Sequence, residues 1–297
     1  MQMALWDSLY NIVLLAFWFK VWNSGRDESV FNPDLFYLNR FCDTVIGGLR
    51  PLLLGLSARG TALVVWAALL ILRGLVVPNE LAARSLRFGL IVGAVHLSSP
   101  LWYPVFAALS FAVFLFKLWA VAAFVALGGD SGFVRGEDTI FRLTRPFSEI
   151  TVTLRPWALV VWGAILGLVL SSGAVSSSAG SALSTFLRSD SGASVLTALV
   201  AGTKLMLCSL TAWVEALGVL PRVMLWLILG SWLAALTSAP RLADLCQEWI
   251  GLLLGPFRLY RIRVGIFDLS SLVFLLVFPI VQALLLSVLA EAYGRLL

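Results

Sequence analysis

Histidine is almost missing from this chain: His96 is the only one in 297 residues. A haem held by two histidines therefore cannot be built within it. Cysteine is scarce as well. Cys42, Cys208 and Cys246 lie far apart, form no CxxC pair and are odd in number, so neither a metal nor a redox motif is supported. Charge is thin, at 12% of residues against about 25% in an ordinary soluble chain. There is no Walker A loop, no HExxH, no GxSxG and no acid pair at helical spacing inside an apolar run. An intramembrane protease or acyltransferase would need such groups. These absences read as a chain that is not an enzyme and takes no cofactor and no metal.

What the chain has in quantity is oil. Apolar residues make up 60% of it and the mean hydropathy is +0.96. A soluble core could not hide that much, so the expected solvent is lipid. At about 20 residues per span, the length accommodates several membrane helices with short connections. The net charge of +5 is modest and its carriers sit at span ends. Nothing forms a solvated basic face, so nucleic acid is not an expected partner. The apolar start lacks a basic leading region and an A-x-A site, and reads as a retained helix, not a cleaved signal.

The hydropathy pattern predicts an all-α polytopic membrane protein with six spans, at about 5–22, 60–77, 104–127, 157–170, 219–236 and 266–290. Amphipathic stretches lie between them. In the first, Leu38, Phe41, Val45, Leu49 and Leu52 recur every three or four positions, with Asp34, Asn39, Arg40 and Asp43 largely opposite. That pattern fits a helix lying in the interface or a short re-entrant one. A second piece, about 138–153, sets Ile140, Phe141, Phe147 and Ile150 against Arg142, Arg145 and Glu149. A third starts at Pro240 and carries Leu242, Leu245, Trp249 and Leu252 as its apolar stripe. Residues 80–103 are ambiguous, apolar but too short to span. Residues 171–194 are rich in Ser, Gly and Ala, the composition of a flexible loop.

The chain repeats itself. Phe19-Lys20-Val21-Trp22 returns as Phe116-Lys117-Leu118-Trp119, and Ala62-Leu63-Val64-Val65-Trp66 returns in full as residues 158–162. The pieces recur in corresponding places, as duplicated supersecondary units do. The organisation is a first unit at 1–78, a linker at 79–103, a degenerate second unit at 104–172, a Ser/Gly-rich linker with an apolar helix at 173–218, and a third unit at 219–297. Each unit reads span, basic amphipathic stretch, span. Twelve arginines fall in the three amphipathic loops, and few Lys or Arg fall in the other connections. The positive-inside rule puts those loops in the cytoplasm and both termini outside. A seventh span at 195–217 would break that pattern, so this stretch is expected as a non-spanning or tilted helix.

The last unit carries a motif: Pro256, Arg258, Arg261, Arg263, Gly265, then Asp268-Leu269-Ser270 and a span. It resembles the YggT family, called YlmG in other bacteria and related to plastid proteins. The family pattern is a proline, an arginine-rich elbow, glycines, I-D-[FL]-S and a span. The first unit echoes it with Asn32-Pro33 and Gly48-Leu49-Arg50-Pro51, but has Ser57-Ala58-Arg59-Gly60-Thr61 where the Asp-x-Ser would stand. The second unit keeps only Thr144-Arg145-Pro146-Phe147. Family members have two units, so a third is a departure. The resemblance implies a bacterial inner-membrane protein. It also implies the roles associated with relatives, namely assembly of a cytochrome complex, membrane organisation, osmotic tolerance and cell division. It implies no active site.

Read by themselves, the arginines set topology and attract anionic lipid headgroups, at about 1 kcal/mol per charge near the surface. Docking of an acidic partner is the sharper alternative. Asp268 is expected as an N-cap accepting from the amides of Ser270 and Ser271, with an ion site or an arginine partner as the other reading. Lys117 is expected near the cytoplasmic end of its span, as Lys20 ends the first. The function expected is an accessory or assembly subunit that packs against other integral membrane proteins. The alternative is a small-ion or osmolyte permeation protein, oligomeric with copies of itself.

Overall fold

The computed structural model describes residues 2–24, 32–51, 53, 56–76, 86–93, 102–126, 134–147, 155–171, 195–255, 263–264 and 267–296. Its architecture is helical, with ten helices among these residues. They are α1 (Gln2–Asn23), α2 (Pro33–Leu49), α3 (Ala58–Val76), α4 (Trp102–Ala126) and α5 (Val134–Leu143), then α6 (Arg155–Ser171), α7 (Val195–Leu217), α8 (Leu220–Leu236), α9 (Pro240–Leu253) and α10 (Ser270–Arg295). Proline opens α2 and α9 and falls in the first turn of α6 and α8, where its missing N–H has no helical partner to lose. Two short antiparallel strand pairs interrupt the helices: β1 (Leu86–Phe88) with β2 (Ile91–Gly93), and β3 (Arg263–Val264) with β4 (Phe267–Asp268).

Four stretches are long and apolar enough to cross a membrane: Ala58–Leu75, Tyr103–Ala126, Leu199–Leu236 and Ser270–Arg295. The third is two helices, α7 and α8, joined at Gly218 and Val219. The chain is therefore built as a multi-pass membrane protein.

Contacts fix the direction of each long helix. Arg59 at the start of α3 lies over the Trp22 ring at the end of α1, and Trp66 meets Trp18, so α1 and α3 run antiparallel. Gly74 backs onto Tyr103 and Pro104, so α4 starts where α3 ends. In α6, Gly163 abuts Phe116 and Trp162 faces Trp119, one turn apart on α4. In α7, Trp213 donates to the Ala120 carbonyl (3.3 Å), and Leu217 clusters with Phe124 and Val125. Thus α7 runs parallel to α4. Helix α10 returns beside α7, with Gln282 donating to the Val214 carbonyl (2.8 Å) and Lys204 facing the Tyr293 ring. The six helices α1, α3, α4, α6, α7 and α10 alternate in direction.

Two stretches weighed as spans in the sequence fall together in the apolar stretch Leu199–Leu236. The stretch at 195–217, expected as non-spanning, is α7, in the middle of the bundle against α4, α6 and α10. The stretch at 219–236, expected as a span, is α8, which packs chiefly on α9 as a hairpin. Both ends of that hairpin cluster with Phe124 and Val125 at the end of α4. Hydropathy registers how apolar a helix is, not whether protein or lipid touches it.

The ambiguous residues 80–103 contain β1 and β2. Phe88 is buried edge-on against Phe116, deep in the bundle. Gly89 holds φ +57, and a Cβ there would lie 2.4 Å from the Cys208 carbonyl oxygen and 2.9 Å from the Ala212 nitrogen. Only glycine suits both the backbone angle and the gap. The Cys208 thiol donates to the Phe88 carbonyl (3.3 Å). Strand backbone at this depth is tolerated where protein, not lipid, surrounds it.

Candidate functional site

The polar residues of this chain gather where α1 ends. Lys20, in the last turn of α1, pairs with Asp43 of α2 (2.8 Å) and donates to the Asn39 side chain. One turn on, Asn23 donates to the carbonyls of Phe19 (2.8 Å) and Arg142 (3.2 Å) and accepts from the Arg145 guanidinium. Asn32, just before α2, donates to Asp138 (2.8 Å) and to the Thr139 hydroxyl (3.0 Å). Asp138 also accepts from Arg142, four residues along α5 (2.9 Å). Trp18 donates its indole N–H to the Arg145 carbonyl (3.0 Å), and the Arg145 guanidinium sits over Phe141. Asn23, Asn32, Thr139, Arg142 and Thr144 are all buried. Buried polar groups need such partners, because each one left without costs about 1–3 kcal/mol.

The network has a mechanical meaning. Helix α5 follows α4 in the chain, yet its polar face bonds to the end of α1 and the residue that opens α2. It also touches α9, with Ile140 packed into the cluster around Trp249 and Ile250. Helix α5 thus sits between the root of α2 and α9 at one end of the bundle. Helix α2 crosses α1 and reaches back along it: the Cys42 thiol donates to the Ala16 carbonyl (3.4 Å), and Phe41 faces Phe17. Burial raises the Cys42 thiol from 9.0 to about 11; Lys20 lowers it and Asp43 adds to the rise. Among the described residues no three His, Cys, Asp or Glu side chains gather where a metal could sit.

Of the residues singled out in the sequence, Asn32 lies in this network. Pro33 is the first residue of α2, and Arg50 and Pro51 are exposed just after its end. Pro256, Arg258 and Arg261 fall outside the described residues. Arg263 and Asp268 face each other across the β3–β4 pair, and the backbone alone is described there. The residue at the N-cap position of α10 is Leu269, one after Asp268, whose side chain lies outside the described ones. Ser270 is the first residue of α10 and is half-buried. Lys20, Asn23, Asp138, Thr139 and Arg142 carry the network but were not singled out as a site. The one side-chain pair with a local signal was Asp138–Arg142, at a spacing of four; apart from the Asn23 bond to the Phe19 carbonyl, the other bonds join residues 19 to 127 apart.

No family model, curated protein or solved structure matches this chain.

Proposed function

We propose that this chain is a non-catalytic accessory or assembly subunit of a membrane complex, resident in a bacterial inner membrane and related to the YggT family. The observation that carries the reading is the polar network itself. It ties α1, α2 and α5 together at one end of the bundle, with α9 packed on α5, while α6, α8 and α10 expose apolar faces for neighbouring lipid or helices. A scaffold needs that combination: a rigid registered end and side faces free to pack.

In this reading six helices span, α1, α3, α4, α6, α7 and α10, and the α8–α9 hairpin joins α2 and α5 at the cytoplasmic boundary. The positive-inside balance is kept, because the arginines after α9 stay on the side of Arg142 and Arg145. Arg258, Arg261 and Arg263 then meet anionic headgroups or an acidic partner.

Mild solubilisation and affinity purification from native membranes tests this. Stoichiometric co-purifying subunits are expected. A pure homo-oligomer that conducts ions in liposomes, and stops when Lys117 or Asp268 is neutralised, would overturn it in favour of permeation. Single cysteines placed at 57, 148 and 238 are expected to label from the cytoplasm. Labelling of any of them only from outside refutes the topology.

A further inference from the structure

The β1–β2 pair is strand backbone set among helices. Phe88 meets Phe116 of α4, and the Phe88 carbonyl accepts from Cys208 of α7. Gly89 backs onto Cys208 and Ala212, and β2 lies against α6. From Phe116 onward α4 is held to α6 and α7 directly. Gly163 abuts Phe116, Trp162 faces Trp119, Trp213 bonds to the Ala120 carbonyl and Leu217 clusters with Phe124. Helices α6 and α7 pack on each other, with Ser209 donating to the Leu159 carbonyl (3.3 Å).

In the chain the strand pair follows the end of α3 and precedes the start of α4. Those two helix ends meet at the other end of the bundle, with Gly74 against Tyr103 and Pro104. Phe88 nonetheless reaches Phe116, which lies about 21 Å along α4 from Trp102. That is past the middle of a hydrocarbon core about 30 Å thick. The strand pair is therefore re-entrant: it goes in and comes out on one side. A sheet of only two strands leaves the outer edge of each strand without a ladder partner. Such edges are not tolerated against acyl chains. The pair can reach or leave its seat only through water, so the mouth of that seat opens where α3 ends and α4 begins.

We propose that the β1–β2 pair is a plug. It seals a cleft between α4 and the packed α6–α7 pair that opens on the side away from the arginine-rich stretches, with Phe116 and Cys208 at its floor. The seal is close: Phe88, Phe116 and Cys208 are all buried, and a methyl group on Gly89 would meet the Cys208 carbonyl oxygen at 2.4 Å. The device goes beyond the accessory-subunit reading. Only the naming of its mouth as the outer side rests on the topology proposed there.

A membrane-impermeant maleimide, applied to the full chain in sealed right-side-out and inside-out vesicles, tests this. Alkylation needs the thiolate, which forms where water reaches, so Cys208 reports a wet cleft and stays silent in a lipid-filled one. In the unaltered chain Cys208 is expected to be protected from both sides. Gly89→Ala unseats the plug. Phe88→Ala loosens it more gently, by taking the ring off Phe116 while keeping the backbone. In both variants Cys208 is expected to react about ten-fold faster or more, from the side opposite to cysteines placed at 57, 148 and 238, while Cys42 and Cys246 stay protected. The plug is overturned if Cys208 already reacts in the unaltered chain or stays protected in both variants. It is equally overturned if Cys208 is labelled from the same side as 57, 148 and 238, or no faster than Cys42 and Cys246. Labelling of 57, 148 and 238 from outside, with Cys208 opening to the cytoplasm, refutes the topology and leaves the plug standing.

Discussion

Asp138→Ala should loosen one end of the molecule and leave the rest intact. The carboxylate accepts from Asn32 and from Arg142, and its removal leaves a buried guanidinium and a buried amide short of a bond. A hydrogen bond to a charged group is worth about 1.5–3 kcal/mol, and breaking a buried pair costs about 3–5 kcal/mol. Asp138 is itself a quarter exposed (27%), so water recovers part of that loss, and about 2–3 kcal/mol is the expected net effect. Asn32 stands at the root of α2, and Cys42 lies beneath that helix. Local opening of α2 therefore reads out as alkylation of Cys42. At roughly 1.4 kcal/mol per factor of ten, the Cys42 rate in Asp138→Ala should rise about 30- to 150-fold in the regime where opening is fast. Asp138→Asn should give a smaller rise, because it keeps the shape and drops the charge. Site-resolved mass spectrometry follows Cys42, Cys208 and Cys246 together, all buried. Acceleration at Cys42 alone is the expected pattern. No acceleration, or an equal one at all three, refutes the latch between α5 and the root of α2.

Three further outcomes are expected. Gly89→Ala drives a methyl group into the backbone of α7 at 2.4 Å and forces φ +57 on an L side chain, which should cost about 2–4 kcal/mol; an unchanged thermal midpoint in detergent would count against the buried hairpin. Gly163→Ala puts its Cβ against Ser209 and should lower the midpoint, with Ser209→Gly restoring part of the loss in the double variant; additive losses would contradict the α6–α7 contact. Alkylation of Cys42 should follow a thiol that titrates near 11, not 9.0. The raised value means the neutral thiol is favoured by the fold, so its stabilising contribution is complete below pH 9.0 and lost as pH climbs towards 11. A Cys42 profile with its midpoint near 9 would refute the burial.

Local features of the fold were readable in the sequence for physical reasons. Prolines 33, 156, 221 and 240 mark helix starts because no first-turn N–H is missed, and the arginine-bearing stretches on either side of α5 and α9 flag a boundary. The recurrence of Phe-Lys-x-Trp picked out α1 and α4. Depth was not readable. Leu86 to Gly93 looks like any short apolar run, and its burial depends on Cys208, 120 residues later. Helix α8 was preferred to α7 as a span on the arginine pattern; both lie in the apolar stretch Leu199–Leu236, and the burial of Cys208, Ser209, Ala212 and Ala216 of α7 against the bundle had no signal in hydropathy. Asp268 looked like a cap because a carboxylate before two serines usually is one; that its backbone pairs with Arg263 ahead of a helix starting at Ser270 had no local signal. The polar network was invisible as a unit, since every partner but Arg142 is remote in the chain.

The strand pair at 86–93 also constrains how the chain is made. Its seat includes Cys208, which leaves the ribosome 120 residues after Phe88. At roughly 5–20 residues per second, that delay is on the order of 6 to 24 s. For that time a kinked, unpaired bit of backbone has no home in the growing protein and must be parked in water or shielded by the insertion machinery. The seat is completed only when α7 closes over a guest that has been waiting.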